Sequence, residues 1–241
     1  MIMKLKRAIA GAAIALGVTA GGASANAANL IVDGGFENPI VTTPGEYQSG
    51  YVSYNPGQTF GGSSGDAWTV VGAGNDVTVT SNTEYTNGPT YYNGHSGLQW
   101  LDLTGAYDNG AAVGVSQTVA TTAGTKYTLS FYVGTFVDGV DSAVDVKIDG
   151  ADAGTFTNPT PGVTDGQGIS YEQFSTSFTG TGSDTVSFIY AGGRSVDGLD
   201  DVSLTPSVPE PATWAMMLVG FGGLGVAMRW RRKSVEAVAA T

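Results

Sequence analysis

One histidine, no cysteine and 21 carboxylates set the limits of what this 241-residue chain can do chemically. Without cysteine there is no disulfide, no thiolate nucleophile and no Cys-type zinc site. His95 sits in Asn93-Gly94-His95-Ser96, a turn-like segment. Gly61-Gly62-Ser63-Ser64-Gly65 satisfies a Gly-x-Ser-x-Gly pattern, yet it lacks the strand-to-helix elbow that makes such a serine reactive. With a single histidine and no ordered partners, hydrolysis through a triad is not expected. A glycosidase needs only two carboxylates facing each other across a sugar, and no spacing singles out such a pair. Gly220, Gly222 and Gly225 mimic a dinucleotide fingerprint, but no strand precedes them and their surroundings are apolar. No catalytic residue is assigned, and the chain is expected to be non-enzymatic.

Binding chemistry is better supplied. Sugar recognition uses exposed rings with polar neighbours, because a ring offers both an apolar face and polar edges. Trp100, Tyr91, Tyr92 and Tyr107 are the candidates, with Trp68 as a further ring. Trp100 shares a strand face with Leu98 and Asp102, opposite Gln99, Leu101 and Leu103, so it is the ring that strand could turn outward. Residues 85–92, rich in tyrosine, are the expected loop contribution to a cleft. Taken singly, each ring is better explained by core or cross-strand packing.

The elements that must position these groups read as strands. Tyr127, Leu129, Phe131 and Val133 alternate with hydroxyl-bearing neighbours and should point inward. Val144, Val146 and Ile148 alternate with Asp145, Lys147 and Asp149 in the same way. The carboxylates Asp138, Asp141, Asp145, Asp149 and Asp152 fall at helical spacing, but Gly139, Gly150 and the period-two valines favour a strand with Asp145 and Asp149 solvated. Further strands are predicted over 77–80, 98–103, 113–119, 171–178, 185–190 and 199–204. Between them lie Asn-Gly and Asp-Gly dipeptides such as Asn93-Gly94 and Asp149-Gly150, which accept positive φ at low cost. Residues 59–65 and 154–168 read as glycine-rich loops. Short strands at this spacing predict an all-β, antiparallel two-sheet sandwich over residues 28–206.

Charge is partitioned along the chain. Seven of the 10 basic residues lie near the ends, leaving Lys126, Lys147 and Arg194 against 19 acidic residues in 28–206, a formal charge of −16. Nucleic acid and anionic lipid are poor partners for such a surface; divalent cations and neutral polymers are better ones.

Both ends read as addresses. Lys4, Lys6 and Arg7 precede an apolar run over 8–20 and the small-residue sites Ala23-Ser24-Ala25 and Ala25-Asn26-Ala27, predicting a signal peptide over 1–27 cleaved after Ala25 or Ala27. At the other end, Pro209-Glu210-Pro211 and Trp214-Ala215 lead an uncharged run over 212–228, followed by Arg229, Arg231, Arg232 and Lys233. As a helix, that run spans about 25 Å, short of a hydrocarbon core of about 30 Å but within reach with local thinning. It predicts a single transmembrane helix, with residues 234–241 as a short cytoplasmic tail.

This tail resembles the PEP-CTERM sorting signal over residues 207–233. The resemblance implies recognition by an exosortase-type processing enzyme, transient anchoring in the inner membrane, removal of the tail, and delivery to the cell surface or extracellular matrix. An ordinary C-terminal anchor is the alternative reading of the same residues.

A second resemblance covers residues 28–206. Asp33-Gly34-Gly35-Phe36-Glu37 opens the segment and Asp200-Asp201-Val202 closes it, with Trp68, Gly97-Leu98-Gln99-Trp100 and Lys126-Tyr127-Thr128-Leu129 between. This order is similar to galactose-binding-like jelly rolls, including carbohydrate-binding modules. The resemblance implies first and last strands side by side, a buried tryptophan at Trp68, and a structural calcium ion held by Glu37, Asp200 and Asp201. The leading expectation is thus an exported protein contacting polysaccharide, such as a biofilm exopolysaccharide. The alternatives are a structural surface protein without specific ligand and a glycan-active hydrolase.

Overall fold

The computed structural model describes residues 28–41, 50–82, 86–87, 90–106, 112–136, 141–159, 168–192, 196–207 and 220–223. The expected signal peptide and most of the sorting tail lie outside the described residues. Among those described, no helix is long and apolar enough to cross a membrane; helix is confined to residues 220–223.

Strands make up nearly everything else. In chain order they are β1 (Tyr51–Tyr54), β2 (Thr59–Phe60), β3 (Trp68–Gly72), β4 (Val77–Ser81), β5 (Thr86–Asn87), β6 (Thr90–Tyr91), β7 (Gln99–Asp102), β8 (Val113–Ala120), β9 (Lys126–Phe136), β10 (Ser142–Ile148), β11 (Ala151–Asn158), β12 (Ile169–Thr179), β13 (Ser183–Gly192) and β14 (Asp197–Pro206). One six-stranded sheet runs β1-β4-β7-β14-β9-β12 and the other β11-β10-β13-β8-β3-β2, with every described pairing antiparallel. From β8 to β14 the chain changes sheet at almost every connection, which makes the body a sandwich rather than two stacked meanders.

Period-two patterning explains the layering. Tyr127, Leu129, Phe131 and Val133 are buried as predicted, facing Val144, Val146, Val186 and Phe188 of the opposite sheet in one apolar cluster. Phe131 is at its centre, edge-on to Phe188 at 5.0 Å and to Phe156 at 5.2 Å between ring centroids. Trp68 is fully buried between Phe36 and Phe188.

The β10–β11 hairpin turns on Asp149 and Gly150, both at positive φ (51° and 78°), as a two-residue Asp-Gly loop requires. The same pairing corrects the predicted loop over 154–168. Its first part belongs to β11, where Gly154 (φ 130°) sits beside a register shift opposite Val146 and Lys147. Thr59 and Phe60 likewise form β2 rather than loop.

The opening segment is not a regular strand, yet it lies beside β14. Leu30 N donates to Leu204 O (2.9 Å), Val202 N donates to Gly34 O (2.9 Å), and Asn29 Oδ1 accepts from Leu204 N (2.8 Å). A side chain at Gly34 would collide with Val202 O, so this approach requires glycine. The two ends of the sandwich therefore meet, and the acidic residues carried by each end meet with them.

Candidate functional site

The first sheet's outer face carries the candidate groups. Register places Asp200, Tyr132 and Gln173 in one row across β14, β9 and β12. Ser203, Ser130 and Ser175 form the next row, and Thr205, Thr128 and Ser177 the one after. Adjacent strands lie roughly 4.8 Å apart, so the last two rows form a grid of six hydroxyls without a charge. The six are exposed or half-buried, as a solvent-facing sheet surface demands.

One end of this face is roofed by residues 92–98, which fold back over it. Trp100 points away from the inter-sheet core but is wholly buried: its indole Nε1 donates to Tyr92 O at 2.9 Å. Tyr92 (3% exposed), Trp100 and Ile169 form a small second core, with Tyr171 and Val196 against it. This corrects the expectation of an outward platform: Trp100 and Tyr92 offer no ring face to a ligand. The side chain of Tyr91 and all of Tyr107 lie outside the described residues. Tyr132 does reach the outer face. It is half-buried and stacked on His95 at 3.5 Å between centroids and 16° between planes. Sequence reading passed over it because it falls among the outward positions of a strand chosen for its inward ones.

Three carboxylates clamp the roof. Glu37 Oε1 accepts from Leu98 N (2.8 Å) and Gln99 N (3.1 Å). Asp200 Oδ2 accepts from Ser96 N (3.1 Å), while its Oδ1 accepts from Asp201 N (2.7 Å). Asp201 takes the Ser96 hydroxyl (2.8 Å) and pairs with His95 Nδ1 (2.7 Å). Glu37 comes from the opening segment and the aspartates from β14, so the chain ends grip one loop from two sides. Asp201 has φ of 49°, at a register shift that adds a residue between Asp200 and Ser203. Gly97 (φ 65°) lies so close to Glu37 that a Cβ there would overlap Oε1.

The electrostatics follow from burial. Asp200 has no exposed surface, and desolvation pushes its carboxyl up to about 7. The Ser96 amide opposes that rise, and the neighbouring Asp201 charge adds to it. Tyr171, edge-on to His95 at 5.8 Å, is held well above the ordinary phenol range by burial and then by Asp200, Asp102 and Asp201. Among the described residues its buried hydroxyl has no hydrogen-bond partner.

Glu37, Asp200 and Asp201 are therefore brought to one place. Calcium takes six to eight oxygens. Gly35 leaves bare floor beside the aspartates, where a Cβ would stand 3.8 Å from an oxygen of each. Yet among the described residues no three acidic or histidine side chains are grouped to close around one ion. Carboxylate oxygens are the donors a hard cation prefers. As for nucleophiles, residues 61–65 form turns with Gly61, Gly62 and Gly65 at positive φ, and no helix follows them. The single histidine is already engaged by Asp201 and Tyr132.

Comparison with known proteins adds one motif and a set of backbone likenesses. Residues 207–233 match the PEP-CTERM protein-sorting motif, which implies export and sorting to the cell surface. No curated protein matches the chain. Among solved structures, TmCBM61 in complex with beta-1,4-galactotriose is similar at 19% identity and a TM-score of 0.40, covering 75% of this chain and 99% of that one. A cyclase from Fischerella sp. TAU is similar at 19% identity and a TM-score of 0.45, covering 76% and 100%. A family 35 carbohydrate binding module from Clostridium thermocellum is similar at 10% identity and a TM-score of 0.39, covering 65% and 98%.

Proposed function

We propose that this chain is an exported surface or matrix protein that contacts polysaccharide without altering it. In this reading it enters the export route through residues 1–27, is held transiently in the inner membrane, and is released there by an exosortase-type enzyme. The observation that carries the binding half is the outer face of the first sheet. In a segment of formal charge −16, it presents two uncharged rows of hydroxyls beside the Tyr132–His95 stack. Hydroxyl rows suit a neutral polymer whose own hydroxyls recur along its length, and Tyr132 adds an aromatic ring beside them. The non-catalytic half rests on how the carboxylates are used. Glu37, Asp200 and Asp201 each accept donors from residues 96–99 or each other, which makes them a clamp rather than an acid and base facing across a cleft.

Retention of the full chain, in mild detergent, on immobilised exopolysaccharide tests both halves. Saturable retention that Tyr132→Ala weakens, with no release of reducing ends, is expected. Polymer cleavage lost on substituting one carboxylate would replace this reading with an enzyme; absence of retention would leave a structural surface protein.

The reading extends to a calcium ion at Asp200 and Asp201, with Glu37 nearby. What supports it is the cost of keeping Asp200 ionised in a buried position, which a cation would offset. Thermal melting in calcium and in chelator decides it: an unchanged midpoint removes the ion.

A further inference from the structure

At the opposite edge of the sandwich, where β1 borders the first sheet and β2 the second, lies a cavity of about 420 Å³. This is within the range of pockets that take small ligands. Its apolar surface comes from Pro39 and from Tyr54, whose ring is stacked on the buried Phe60 at 4.6 Å between centroids. Its polar surface comes from Asn38, Ser63 and Ser64. Among the described residues lining it, none carries a charge, in a segment with 19 acidic side chains.

The walls are held in place from behind by Asp33. Its carboxylate accepts from Glu37 N (2.8 Å), from Asn38 N (3.3 Å) on one wall, and from Gly62 N (3.3 Å) on the other. Its carbonyl accepts the indole N–H of buried Trp68 at 2.9 Å. Asp33 adopts φ of 54°, and Gly61 and Gly62 are at 83° and 63°, so the enclosing backbone is built from residues that tolerate that region. A cavity whose two walls share one half-buried anchor is pre-organised, and pre-organisation spares a ligand the cost of ordering them. Burial also raises the Tyr54 hydroxyl above its ordinary range.

We propose that this cavity is a second saccharide site, taking one or two units of a neutral sugar chain with a ring face on Tyr54 and hydroxyls on Asn38, Ser63 and Ser64. The proposal rests on the polysaccharide reading above, but it concerns a different surface. The face of β14, β9 and β12 is a long strand surface and suits the length of a polymer, whereas this cavity is a short, open concavity and suits an end or a branch. A molecule with both would bridge two polymer chains, which a single face cannot do.

The test is titration of the full chain in mild detergent with short neutral gluco-, galacto- and manno-oligosaccharides. It is followed by calorimetry and by the indole N–H resonance of Trp68, and repeated for Tyr54→Ala, Tyr54→Phe and Tyr132→Ala. Binding of at least one sugar series is expected. The Trp68 resonance should move through Asp33, and Tyr54→Ala should weaken binding roughly tenfold or more, as loss of an anchoring ring does. Tyr54→Phe should keep most of the affinity, and the binding component that Tyr54→Ala removes should persist in Tyr132→Ala. An affinity lost in Tyr132→Ala but kept in Tyr54→Ala would overturn the second site and leave the surface reading standing. Retention on polymer with no binding of any short sugar would do the same. Failure of both polymer and oligosaccharide binding would overturn both. A cooperative melt of Tyr54→Ala, complete only well above the titration temperature, guards against reading a folding defect as lost binding.

Discussion

Raising the pH in the absence of divalent cations should weaken the fold through one residue, Asp200. An aspartate ordinarily titrates at 3.8; burial moves this one to about 7 in the folded chain. The unfolded chain therefore gives up its proton first, and between these values the folded state binds more protons than the unfolded one. Stability from the protonated, buried carboxyl is present in full below 3.8 and is lost as pH rises through about 7. The span is roughly three pH units at 1.36 kcal/mol each, so the loss is ~4 kcal/mol. For a body of this size that is a fall in melting temperature of roughly 10 °C. Thermal melts at closely spaced pH values, in chelator, read the slope directly. Asp200→Asn isolates it, because an amide does not titrate. The variant should start lower, having put an amide N–H₂ against one of two backbone donors, but its slope over the same window should be shallower. A wild-type midpoint that is flat or rising across the window, or equal slopes in the two proteins, would refute the assignment of a costly buried charge to Asp200.

Two other substitutions probe neighbouring claims. Asp184 is fully buried, and burial works to raise its carboxyl, but hydrogen bonds from Thr121 and Thr181 outweigh it and the group is lowered. It thus contributes stability at neutral pH that is lost on acidification, the reverse of Asp200, and Asp184→Ala should cost about 2–4 kcal/mol in a denaturant melt at neutral pH. Gly97→Ala should cost about 1–3 kcal/mol, because it combines positive φ with overlap on Glu37 Oε1. Hydrogen exchange should show faster exchange at Leu98 and Gln99 in that variant, and unchanged protection there would mean that Glu37 does not hold the roof.

Much of the sandwich could be read from residue order alone. The alternation in β9 identified its buried face correctly, and Asp149-Gly150 marked a hairpin whose strands follow on either side. What escaped were elements whose side chains carry no pattern of their own. β11 (ADAGTFTN) is small and polar, and it is a strand because β10 pairs with it, which is tertiary information. Four-residue β1 and two-residue β2 are too short to show a period. Trp100 shows the limit most clearly. Alternation located the sheet face it occupies, but not that residues 92–98 would cover that face. The meeting of Glu37 with Asp200 and Asp201 came from a resemblance at the two chain ends, since residues over 160 positions apart leave no local trace. Asp33 could have been suspected: an aspartate before Gly34-Gly35 is suited to positive φ and to binding its own downstream amides. Its grip on Gly62, however, is visible only once the fold is assembled.

The exported, tail-sorted nature of the chain is tested most directly by its intact mass in separated fractions of the cells that produce it. We expect material outside the inner membrane that begins after Ala25 or Ala27 and ends near Pro209-Glu210-Pro211, without residues 212–241. A chain of full mass, confined to the cytoplasm or lodged in the inner membrane with its tail attached, would contradict this.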